Sequence, residues 1–151
     1  TGAYAVIFRG GAPVELRTDR DRPPVLLSVV IQCRPQPDPS DQRRFTVNST
    51  YDAFEILDLD QHELLVYHWH PEVISQVVEP HLHLSPRMPP VPVATRGNRP
   101  EHVMLSDMHI PTGHVYLADI VHLLITEFMA SPLRKDWDNV LAESKRSART
   151  E

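Results

Sequence analysis

Histidine is the residue type from which this chain can draw chemistry. All nine (His62, His68, His70, His81, His83, His102, His109, His114 and His122) fall between positions 62 and 122. Two pairs, His68 with His70 and His81 with His83, are each separated by one residue. In a strand that spacing sends both imidazoles to one face and turns Trp69 and Leu82 to the other. If residues 71–80 let the two strands pair antiparallel, facing Cβ atoms stand about 4.5–5.5 Å apart and four imidazoles converge. Neutral imidazoles ligate Zn²⁺ or a similar divalent transition metal at about 2.0–2.1 Å, and three of them with an open position allow a bound water to be activated. His68, His70, His81 and His83 are therefore candidate metal ligands, with Glu72 as a further ligand or a base. Without a metal, one neutral and one protonated imidazole act as base and acid, because the ordinary pKa lies near ~6.5. In that reading His81 and His83 are catalytic, and His109 and His114 contribute from the substrate side. The spacing matches no fixed zinc signature such as H-E-x-x-H, and a purely structural role is the competing reading. Since imidazoles on an open sheet face contribute little to stability, replacing His81 and His83 is expected to spare the fold.

The remaining candidates are set by their surroundings. His109 and His114 bracket Ile110-Pro111-Thr112-Gly113, directly before an amphipathic stretch. Thr112 is a candidate cap there, and free N–H groups at a helix start suit an anion. His122 is expected on the solvent side of that helix, and His62 and His102 in turns. Cys33 reads as a small buried apolar group, since no neighbouring feature would lower its pKa. One cysteine makes no internal disulfide, which fits a reducing cytoplasm.

The elements that must position these residues follow from periodicity. Residues 4–8 (YAVIF) read as a buried strand ended by Gly10 and Gly11, and residues 25–33 (VLLSVVIQC), bounded by prolines, as a central strand. Residues 45–48, 51–59, 63–70 and 80–84 read as antiparallel strands joined by short polar turns. Residues 85–101 carry five prolines and are expected to form a long loop without ladder hydrogen bonds. Arg87, Arg96 and Arg99 in that loop would close over the histidine face. Leu117, Ile120, Val121, Leu124, Ile125 and Phe128 then form one apolar helical stripe. Ser131-Pro132 resembles the start of a second helix that continues through Leu133, Trp137, Val140 and Leu141 to about residue 147. The expectation is one α+β domain over residues 1–151: an antiparallel sheet of about five to seven strands, with two C-terminal helices packed on one face.

Charge and composition narrow the functions. Net charge is +2 over residues 1–44, −8 over 45–133 and +1 over the rest, so the histidine stretch is acidic. That favours cations and disfavours strong nonspecific DNA binding. No run approaches the ~18 apolar residues of a membrane helix. The first residue is Thr1 rather than Met, which fits a processed or trimmed start.

The order Tyr67-His68-Trp69-His70-Pro71-Glu72, then Pro80-His81-Leu82-His83, then Val115-Tyr116-Leu117-Ala118-Asp119-Ile120-Val121 resembles the TumE-type toxin-like proteins of bacterial toxin and antitoxin modules. The resemblance spans residues 62–128; a longer link between the two histidine elements, residues 85–101 and an extra N-terminal segment depart from it. It implies a β-rich body, a cytoplasmic bacterial or phage-related protein and an antitoxin-like protein partner. Together with the histidines, the expectation is a toxin-like hydrolase, a nuclease or phosphoesterase acting on RNA or a nucleotide phosphoester. The alternatives are a non-enzymatic binding or scaffold domain, and a barrel-type metal-binding enzyme of small molecules.

Overall fold

β-Branched and aromatic residues dominate residues 25–33 and 45–57, and the two longest strands form there. The computed structural model describes residues 2–19, 21–41, 43–71, 77–96 and 99–148, with backbone alone for 92–96 and 99–101. Its strands are β1 (Tyr4–Ile7), β2 (Val14–Leu16), β3 (Val25–Pro37), β4 (Phe45–Leu57), β5 (Glu63–Trp69), β6 (His81–Leu84), β7 (Val91–Arg96), β8 (Arg99–Val103) and β9 (Ile110–Pro111). Two helices follow, α1 (Leu117–Thr126) and α2 (Trp137–Ala148). Seven strands form one antiparallel sheet in the order β1-β3-β4-β5-β6-β9, with β2 beside β1 on the same edge of β3. This is the expected α+β architecture, with β3 inside the sheet.

The pleat divides the sheet into two faces. Val25, Leu27 and Val29 of β3, Phe54 and Ile56 of β4 and Tyr67 of β5 share one face, where Ile120 and Leu124 of α1 complete the core. Tyr67 stacks on Phe54 with ring centroids 5.6 Å apart, and its hydroxyl oxygen accepts the Val115 N–H at 3.1 Å. That bond ties the middle of the sheet to the segment entering α1. The helix start is closed by Asp119, whose carboxylate accepts the Tyr116 N–H at 3.0 Å and also meets Lys145 Nζ of α2 at 2.8 Å. Thr112, the expected cap, lies before the Tyr116 cap position, and its hydroxyl is without a hydrogen-bond partner among the described residues. Its N–H meets the Pro80 carbonyl at 2.8 Å beside the β9–β6 pairing.

Four local expectations are corrected. Strand β1 is exposed rather than buried, since it is the outermost strand, away from the helix cover. Residues 45–57 form one strand; Ser49 and Thr50 make a bulge, not a turn, where the register passes from Gln32↔Tyr51 to Cys33↔Ser49. The proline-rich segment pairs as a hairpin, Val91↔Val103 to Arg96↔Arg99. A two-stranded ribbon leaves one edge of each strand unbonded, so Pro92 and Pro100 can be accommodated, and the register shifts between Pro92 and Ala94. Finally, α2 begins at Trp137, not beside Ser131. Ala130 bridges to Thr18 and the Ser131 N–H bonds the Arg17 carbonyl at 2.7 Å, which holds this stretch extended.

Candidate metal centre

Strands β5 and β6 pair antiparallel with His68 opposite His81 and Val66 opposite His83. Tyr67 and Leu82, on the other parity, face the core with Trp69, so the histidines occupy the sheet face opposite α1. Ring centroids lie 5.9 Å apart for His68 and His81, 5.5 Å for His68 and His83, and 5.0 Å for His81 and His83. His70 stands 5.4 Å from His81, and His109 stands 4.9 Å from His81 and 4.6 Å from His83. Four predicted ligands and one predicted catalytic residue thus form a cluster of five imidazoles.

Within it, one ring nitrogen each from His68, His81 and His83 lies within 4.8 Å of the others. A tetrahedral ion bound at 2.0–2.1 Å needs nitrogens ~3.4 Å apart, so the rings would draw together by up to about 1.4 Å around it. Their proton placement suits the task. His81 Nδ1 donates to the Glu79 carbonyl at 2.8 Å, and His83 Nδ1 reaches the Ser106 carbonyl at 3.4 Å. A carbonyl only accepts, so each Nδ1 carries a proton, and in the neutral ring Nε2 is then the nitrogen that offers a metal its lone pair. Burial, reinforced by the facing imidazoles of His83, His81, His70 and His109, pushes His68 down to about 4. Burial also lowers His81, against the pull of its bond to Glu79. Both rings are therefore neutral near pH 7, the form that ligates. His70 Nδ1 is buried without a hydrogen-bond partner among the described residues, a vacant acceptor or donor beside the triad.

Beside His68 and His83 opens a cleft of about 220 Å³, also lined by Glu63, Val66, Leu84, Pro86 and Ser106. Glu63 was not among the sequence candidates. It reaches this face through a bulge: Ile56 pairs with Leu65, but Leu57 pairs with Glu63, so Leu64 is the extra residue. Simple alternation from His68 would have put Glu63 on the core face; the consecutive apolar Leu64 and Leu65 were the available signal.

Other expected participants lie elsewhere. His114 is on the core side, where Nε2 meets Asp52 Oδ2 at 3.3 Å and the ring lies between Trp69 (4.4 Å) and Tyr116 (4.6 Å). Asp52 is buried, accepts the Ser49 hydroxyl at 2.6 Å, and is raised above the usual carboxylate range by burial. Glu72 lies outside the described residues, as do the side chains of Arg96 and Arg99. Arg87 turns to the β4–β5 turn, donating to Asp58 Oδ2 at 3.0 Å and to His62 Nδ1 at 2.6 Å. It thereby engages the second His and carboxylate group, Asp58, Asp60 and His62. His122 is half-buried against Trp137, not solvent-facing, because α2 folds onto that side of α1. His81 is 2% exposed, which corrects the premise that its imidazole stands on an open sheet face.

No helix among the described residues is long and apolar enough to cross a membrane. No known protein family, curated protein or solved structure matches the chain.

Proposed function

We propose that this protein is a metal-dependent hydrolase in which His68, His81 and His83 hold a divalent transition ion of the zinc type. The observation that carries this reading is the pair of Nδ1 protons fixed on backbone carbonyls beside a third, neutral imidazole. Three neutral ligands leave the ion its full double charge, and such an ion acidifies water and polarises an ester or amide carbonyl. His70 and His109 border the triad and provide further nitrogen donors. The cleft lining contains no Lys or Arg among the described residues, and the nearby Arg87 is already engaged. That favours an uncharged ester or amide over the RNA or nucleotide phosphoester expected of a toxin-like effector.

The test is titration of chelator-treated protein with Zn²⁺ and Co²⁺, followed by hydrolysis of p-nitrophenyl acetate and bis(p-nitrophenyl) phosphate. One ion per chain and metal-dependent turnover of the acetate are expected, both lost in His68→Ala. Turnover of the diester alone would transfer the assignment to phosphoesters. Equal rates for loaded and metal-free protein, or binding unchanged in His68→Ala, would overturn the metal-dependent reading.

A second reading, a domain that docks a protein such as an antitoxin-like partner, draws on exposed Tyr4, Val6 and Ile7 of the open edge strand and Phe45 and Val47 of β4. On that reading Val6→Asp abolishes an association that metal removal leaves intact.

A further inference from the structure

Strand β5 carries an interruption that the metal triad does not require. Glu63 pairs with Leu57 after Leu64 has been inserted in the ladder, and the step turns the carboxylate to the face where His68 and His83 stand. Leu64 and Leu65 both pack against the core as a result, so burial of two leucines holds the bulge in place. Among the described residues no carboxylate joins His68, His81 and His83 within their 4.8 Å spacing. Glu63 instead borders the same cleft of about 220 Å³, where Val66, Leu84 and Pro86 form the apolar wall. The cleft is thus lined by two of the three ligand residues, an acidic residue and an apolar wall, with room for a small acyl group.

We propose that Glu63 is the general base of this cleft, an inference that rests on the hydrolase reading above. As the oxygen of a water in the cleft bonds to the substrate's carbonyl carbon, its proton passes to the Glu63 carboxylate and the C=O electron pair moves onto oxygen. The pair then returns, the bond to the leaving oxygen or nitrogen breaks, and the protonated Glu63 delivers its proton to that leaving atom. Atoms and charge balance with water as the only co-reactant. A general base of this kind contributes typically about 10²–10⁴-fold. Because it is neither a ligand nor part of the core, its removal separates proton transfer from metal binding.

The experiment compares wild type, Glu63→Gln and Glu63→Asp, each loaded with Co²⁺, whose absorption reports ligation, and each assayed on p-nitrophenyl acetate across pH. Expected are unchanged Co²⁺ spectra and affinities, a fall in kcat of about 10²–10⁴-fold for Glu63→Gln at every pH where the wild type turns over, and partial recovery in Glu63→Asp. Wild-type kcat and pH profile in Glu63→Gln, with metal-dependent turnover intact, would overturn the role of Glu63 alone. A Glu63→Gln protein with altered Co²⁺ ligation would make the residue a ligand and also overturn it. Absence of metal-dependent turnover in wild type would remove the hydrolase reading itself, and this inference with it.

Discussion

Acid should destabilise the metal-free protein through His68. Its folded pKa lies at about 4, against an ordinary 6.5, because burial and four neighbouring imidazoles oppose the charged ring. The unfolded chain therefore binds the His68 proton first as pH falls through 6.5, and the folded chain follows only near 4. Stability associated with the neutral ring is fully present above 6.5 and is lost progressively down to about 4. Full transmission of a shift of about 2.5 pH units would amount to ~3.4 kcal/mol at ~1.36 kcal/mol per unit. The ring is only half-buried, so solvent screening reduces this to about 1–2 kcal/mol, of which about 1 kcal/mol is expressed by pH ~4.5. Urea unfolding of wild type and His68→Gln in the presence of chelator, at about pH 7.5 and about pH 4.5, isolates this contribution because the carboxylates titrate in both proteins. That includes Asp52, which acts in the opposite direction because its pKa is raised. Wild type should lose about 1 kcal/mol more than the variant over that interval. A difference that stays constant within ~0.3 kcal/mol, or a greater loss in His68→Gln, would refute the reasoning.

Three further outcomes are expected. Tyr67→Phe keeps the ring on Phe54 but strands the Val115 N–H, and should lower urea stability by about 1–3 kcal/mol. His81→Ala removes a buried ring and leaves the Glu79 carbonyl without its donor, so it should destabilise by about 1–3 kcal/mol, whereas the partly exposed His83→Ala should change stability by less than ~1 kcal/mol. Zn²⁺ at about 100 times its Kd should stabilise the protein by ~2.7 kcal/mol, raising Tm by about 5–11 °C in thermal melts, with no rise in His68→Ala.

Alternation made much of the site legible before the fold was known. Each H-x-H pair must keep to one face of its own strand, and the register that sets His68 opposite His81 puts both pairs on the same face. The apolar stripe of α1 was equally readable, since Ile120 and Leu124 are buried where the spacing places them. What escaped were residues whose facing depends on an interruption of period. Glu63 changes face at the Leu64 bulge, and Ser49 and Thr50 continue a strand where their polarity resembled a turn. His109 and His114 lie five residues apart, yet β9 falls between them and the sheet separates their sites. No local pattern carries that information, because it is set by which strand residues 110–111 pair with. The start of α2 was misplaced for the same reason: Ser131 is engaged by Arg17, more than a hundred positions earlier.

The division of β5 between two faces bears on how such a protein can diversify. Leu65 and Tyr67 serve the core, while Val66 and His68 face the other side of the sheet. Enzymes commonly gain new activity at the expense of stability, because the residues that change are also residues that hold the fold. Here the His68 and His83 positions and the exposed part of the cleft rim can vary without altering the packing under α1, whereas buried His81 and Val66 serve the site and the fold together. Selection for a new ligand would therefore meet little resistance from folding along most of this surface. His81 and Val66 should be the positions at which laboratory libraries tolerate the fewest replacements.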